Sequence, residues 1–200
     1  MTSKRAALLA ALLIVAQLLL VLVSWLLSAT QTVGVRSLLS SEGIRWFCGR
    51  FSDVLASPLL VWLLLAAIAV GCLRDCGLLG LRRPFAYRQR IALGLSATLL
   101  LLFLVVLSAL AVAPRAILLS ASGRLFPSPF SASLVPALSF AIVATSLTYG
   151  IISGRYQSLR HVYESLLCGI RSAAPLFLFY VLLAQFYESL LFVVGLKPHF

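Results

Sequence analysis

Acidic residues are scarce in this chain: five Asp and Glu among 200 residues, against sixteen Lys and Arg. Charge of either sign is scarce too, at 10% of residues, where a soluble domain carries about 25%. So little polar surface cannot shield a globular core from water. That excludes a soluble enzyme, a nucleic-acid-binding domain and a disordered tail. The two histidines, His161 and His199, lie far apart in sequence. No nucleophile elbow, phosphate loop or metal-ligand spacing is found. Enzymatic activity, a cofactor and a bound metal are therefore not expected. Four cysteines (Cys48, Cys72, Cys76 and Cys168) form no secreted-domain framework. Cys72 and Cys76 lack the second ligand pair that a tetrahedral zinc needs. Reduced thiols are expected, with reversible palmitoylation at Cys76 or Cys168 as the alternative.

What the chain has in abundance is apolar surface, at 62% of residues with a mean hydropathy of +1.09. A bilayer core ~30 Å thick takes about 20 apolar residues at ~1.5 Å each. Five runs meet that length: 6–29, 54–73, 91–112, 134–152 and 173–195. They predict an all-α, polytopic integral membrane protein with five transmembrane helices in a single membrane domain, residues 1–200. Lys4 and Arg5 before the first run resemble the start of a signal peptide. The run far exceeds the 7–15 apolar residues of such a segment, so a retained helix is expected.

A net charge of +11 would suggest nucleic acid in a soluble protein. Here the basic residues fall between apolar runs, where they set membrane orientation. With the N-terminus inside, ten of the sixteen Lys and Arg lie on the inner side, most decisively in the connection Arg82–Arg90. A cytoplasmic N-terminus is expected, with the lipid bilayer as the principal partner and no nucleic acid.

Within the connection 30–53, residues 40–47 read as a short, partly amphipathic interfacial helix. Ser41 is its expected cap, and Trp46 and Phe47 are expected at headgroup level. Residues 113–133 read as irregular, and 74–90 and 153–172 as basic loops. Small polar residues within the runs (Ser24, Ser96, Thr98, Thr145, Ser146 and Thr148) are expected to bond their own backbone or pack neighbouring helices. Gly94 with Thr98, and Gly150 with Gly154, have the spacing of close helix contacts. Tyr163-Glu164-Ser165-Leu166-Leu167 recurs as Tyr187-Glu188-Ser189-Leu190-Leu191. One copy is expected in a loop and the other in a span, as chance recurrence rather than duplication.

Gln185 and Glu188 interrupt the last run three residues apart, on one helix face. An intramembrane carboxylate costs ~2.5–3.5 kcal/mol on insertion scales, which makes Glu188 a candidate for proton or substrate handling. Counted from Ala173 it lies ~22 Å along the core, so anchoring at the headgroups or helix packing is the competing reading.

Three stretches resemble the p-aminobenzoyl-glutamate transporter (AbgT) family of bacterial secondary transporters. Leu38-Leu39-Ser40-Ser41-Glu42-Gly43-Ile44-Arg45-Trp46 is similar to the segment after that family's first helix. Leu125-Phe126-Pro127-Ser128-Pro129-Phe130, with Leu134-Val135-Pro136 and Tyr149-Gly150, resembles its Ser-Pro-Ser-Pro-Phe loop and the following span. Ala174-Pro175 with Ala184-Gln185-Phe186 resembles a later helix. The resemblance implies secondary transport of p-aminobenzoyl-glutamate or a related small aromatic anion across a bacterial inner membrane. A proton or sodium ion is the implied coupling partner. It carries Gln185, Phe186, Ser128 and Pro129 over as site residues. Family members are much longer, with nine spans and two re-entrant hairpins. The first hairpin is expected to be missing after Arg83 and the second after Gly195. The family's Asn-Trp-Ser/Thr-Asn turn falls near Leu191–Val194, which is wholly apolar here. Coupled transport by this chain alone is therefore not expected. Assembly with identical copies or a complementary transporter subunit is one expectation, and a non-transporting membrane scaffold is the other.

Overall fold

A bilayer offers the backbone no water, so a spanning segment must satisfy its own N–H and C=O groups, and the α-helix does so within one segment. The computed structural model describes residues 3–30, 34–80, 87–112 and 129–195, and contains no strand among them. Seven α-helices follow one another: α1 (Ser3–Ala29), α2 (Ser41–Gly49), α3 (Phe51–Leu55), α4 (Pro58–Asp75), α5 (Tyr87–Val112), α6 (Pro129–Ile152) and α7 (Leu159–Val194). Five of them, α1, α4, α5, α6 and α7, are long and apolar enough to cross a bilayer. The chain is an all-α polytopic membrane protein.

The spans differ from the expected boundaries where local chemistry intervenes. The second begins at Pro58 rather than residue 54, because Val54 belongs to the separate five-residue helix α3. Proline lacks the N–H that the first helical turn leaves unused, so Pro58 opens α4 readily. Pro129 opens α6 in the same way, five residues ahead of the expected start. Residues 113–128, including Ser128, lie outside the described residues. Ser40, not Ser41, caps α2: its hydroxyl accepts from the Gly43 amide at 3.0 Å. Gly43 must lack a side chain, because a Cβ there would press into the carbonyls of Ser37 and Leu38.

The largest departure is α7. It runs 36 residues without a break, straight through Pro175. Much of the expected basic loop 153–172 is therefore its first four turns. At 1.5 Å per residue α7 measures ~54 Å, well beyond a ~30 Å core, whereas the apolar portion from Ala173 measures ~33 Å. Both copies of the Tyr-Glu-Ser-Leu-Leu repeat consequently lie on one helix, rather than one in a loop.

The chain divides into two compact units, residues 1–60 with 174–200, and residues 61–173. In the first, Leu38, Phe192 and Val193 form a core with Leu20, Val21, Val35 and Trp46 against it. Trp46 stacks on Phe192, centroids 4.7 Å apart, so its ring packs inward rather than standing free among headgroups. The extended segment before α2 is tied down twice: the Arg36 amide donates to the Val193 carbonyl at 3.0 Å, and the Leu38 amide to Ser24 Oγ at 3.2 Å. The Tyr180 hydroxyl bonds Ser57 Oγ at the break between α3 and α4.

In the second unit α5 packs along α6, with Phe103 edge-on to Phe140 at 5.6 Å. Cys76, Ala92, Tyr149 and Tyr156 form its core. The close helix contact is Gly71 of α4 against Gly169 of α7. Gly94, expected at such a contact, has open space around it. Gly150 lies under the Tyr156 ring, and Gly154 ends α6 with φ +83°. All four cysteines are free, with Cys72 and Cys76 buried and Cys48 and Cys168 exposed. Burial of Cys76 removes it as an acylation site.

Candidate functional site: a buried polar cluster on α1 and α7

Between Arg5 and Ser24, helix α1 is apolar except at one amide. Its partly buried positions recur at helical spacing, Leu13, Gln17, Leu20, Val21 and Ser24, whereas Leu12, Leu18, Leu19 and Leu22 are exposed, as suits lipid contact. Gln17 stands in the middle of that stripe. Each end of α1 is about 20 Å from it.

Facing it in the same unit, α7 turns Gln185, Glu188 and Ser189 inward, at spacings of three and four that place them on one face. Ser189 is 0% exposed, Glu188 4% and Gln185 8%. The Gln17 amide nitrogen donates to Ser189 Oγ at 3.0 Å. Gln17 Oε1, Gln185 Oε1 and Glu188 Oε2 are all buried and accept no hydrogen bond. Because Ser189 meets the midpoint of α1, the cluster sits deeper than the count from Ala173 suggests. Glu188 does not extend to a helix end.

One turn further along both helices the surroundings become apolar, with Val21 on α1 and Phe192 on α7 belonging to the core with Leu38 and Val193. Beyond it Ser24 is fully satisfied, donating to the Val21 carbonyl at 2.8 Å and accepting from Leu38. Ser96, Thr98, Thr145 and Thr148 likewise donate to carbonyls three or four residues back, as expected of small polar residues in spans, whereas Ser146 Oγ is buried without a hydrogen-bond partner. The cluster is different. Buried polar groups normally find partners, since an unpaired one costs roughly 1–3 kcal/mol. Here three buried oxygens on two helices joined by the Gln17–Ser189 bond, one of them a carboxylate oxygen, have none.

Of the residues singled out by sequence, Gln185 and Glu188 come together. Phe186 is half-buried, a residue away around α7, and Pro129 heads α6 in the second unit. Gln17 and Ser189 escaped the sequence reading. The signal for Gln17 was available, as the one amide in an otherwise apolar run. Ser189 gave none, because serine in a membrane helix usually bonds its own backbone.

The second unit has its own buried polar node. Tyr156, between α6 and α7, donates its hydroxyl to Asp75 Oδ2 at 3.1 Å and shares a 2.7 Å hydrogen bond with Ser165 Oγ. Burial, with a smaller push from the Asp75 charge, raises the Tyr156 hydroxyl well above its ordinary pKa. Ser165 and Ser189 hold equivalent places in the two sequence repeats, and each hydroxyl bonds a side chain outside its own helix, Tyr156 nine residues away and Gln17 on α1. Comparison with known proteins finds no match to the chain among family models, curated proteins or solved structures.

Proposed function

We propose that the chain is a membrane transport protein of the p-aminobenzoyl-glutamate type, working in a bacterial inner membrane with its N-terminus in the cytoplasm. It moves a small aromatic anion with a proton or sodium ion as the coupling partner. One observation carries the reading: a carboxylate and two amide oxygens are held unpaired inside membrane-spanning helices, where polar groups are expensive and serve function by default. The Ala184-Gln185-Phe186 resemblance falls on the same stretch of α7. Secondary transporters bind near the bilayer midplane through broken helices. Since α1, α4 and α5 run unbroken, the transporting unit is an assembly with a complementary subunit, and an assembly of identical copies is the competing form.

Uptake of labelled p-aminobenzoyl-glutamate tests this in two settings. Cells expressing the chain in its native gene neighbourhood should accumulate the compound in a saturable, ionophore-sensitive way. Liposomes holding the purified chain alone should match empty vesicles. Uptake in both settings would make the chain sufficient by itself. Uptake in neither would sink the transport reading and leave the scaffold.

Orientation is tested with the two exposed thiols. A membrane-impermeant maleimide should label Cys48 in intact cells and reach Cys168 only after permeabilisation. The reverse pattern would invert the topology.

A further inference from the structure

The second unit opens beside Tyr156 into a cavity of about 700 Å³ whose lining includes Asp75, Arg155, His161, Glu164, Cys168 and Arg171. The four α7 residues among them are spaced by three, four and three, so they form one exposed stripe along its first turns. The lining holds two arginines and two carboxylates, and Arg160 beside it brings the local balance to one positive charge. Glu164 is taken by Arg160, Nε to Oε1 at 2.9 Å, and Asp75 accepts the Tyr156 hydroxyl. Among the described residues, neither Arg155 nor Arg171 has a carboxylate within ion-pairing distance. Both guanidinium groups thus lack a carboxylate partner, Arg155 lying over Gly77, and each carries a planar fork of donors that matches phosphate oxygens.

Position along the helices identifies the source of the phosphate. Asp75 is the last residue of the apolar helix α4, and Arg171 stands two residues before the apolar portion of α7 begins. Both mark the level at which hydrocarbon gives way to headgroups.

We propose that this cavity binds the headgroup of an anionic phospholipid, with Arg155 and Arg171 holding the phosphate oxygens. Basic pockets at helix ends recognise such headgroups, and each arginine contributes about fivefold in affinity. The inference does not depend on the transport reading. The test is thermal unfolding of the full chain in micelles titrated with phosphatidylglycerol, with phosphatidylcholine or with inorganic phosphate. Phosphatidylglycerol should raise Tm saturably, as a ligand of the folded state does, and the other two should not. Arg171→Gln should weaken the phosphatidylglycerol response about fivefold. Arg155→Gln should do the same, and Arg171→Gln stands as the independent readout because Arg155 also packs over Gly77. Arg90→Gln, outside the cavity, should leave the response unchanged. An equal response to phosphatidylcholine, or no loss in Arg171→Gln, would overturn the site. Saturation by inorganic phosphate with the same arginine dependence would overturn the lipid as its occupant.

Discussion

Gly169→Leu should leave little folded protein, and Gly169→Ala should already be destabilised by about 1–3 kcal/mol. The reason lies in what a side chain would meet. A Cβ on Gly169 is driven into the carbonyl of Ala67, and one on Gly71 into the backbone of Gly169. A side chain can change rotamer to make room, but a backbone carbonyl moves only if the helix moves. Helices α4 and α7 approach so closely here because neither has a side chain at the crossing, the device by which membrane helices associate without a hydrophobic driving force. Gly94→Leu is the matched control. It also lies in a spanning helix but has nothing within 4 Å, so it should be tolerated and gain about 1 kcal/mol of helix propensity. Monodispersity and Tm in detergent report both outcomes. A Gly169→Leu protein with the Tm of the parent would show that the crossing contributes nothing.

Glu188→Leu should abolish uptake in cells while raising thermal stability. These two effects are expected together because the carboxylate is buried with Oε2 unpaired, so the fold bears a desolvation cost with no compensating bond. Leucine has similar volume and no polar atom to satisfy. Replacing an unsatisfied buried group in this way stabilises by about 1–3 kcal/mol. Glu188→Gln keeps the shape and one acceptor oxygen, so it should retain part of the stability cost and lose ion coupling. A structural carboxylate gives the opposite signature: Glu188→Leu would lower Tm, with uptake falling only in proportion to folded protein. That result would leave packing as the role of Glu188.

The five spans could be read from the sequence because lipid imposes a length: about 20 apolar residues or no crossing. Their ends obey weaker rules. Ser57-Pro58 splits what looked like one segment, and neither residue announces whether a helix starts or stops there. The front of α7 was hidden by its charges. Arg160, Glu164 and Arg171 read as a loop, yet Val162, Leu166, Gly169 and Ala173 recur at helical spacing beneath them. Gln185 and Glu188 stood out as polar residues in an apolar run. Gln17 carried the same signal, but a lone glutamine becomes informative only when its partner is known. Gly71 and Gly169 could not be paired at all, since a contact between helices 98 residues apart leaves no local pattern.

The Gln17–Ser189 bond joins residues separated by 172 positions, and the unit that contains it is made from both ends of the chain. Synthesis proceeds in one direction at about 5–20 residues per second, so α1 enters the membrane many seconds before α7 exists. Throughout that interval the Gln17 amide sits in hydrocarbon with no Ser189 to accept from it. Insertion and assembly are therefore separate events for this helix, the first driven by its leucines and the second delayed until translation nears residue 189. Chains released early would keep an unpaired glutamine in the bilayer.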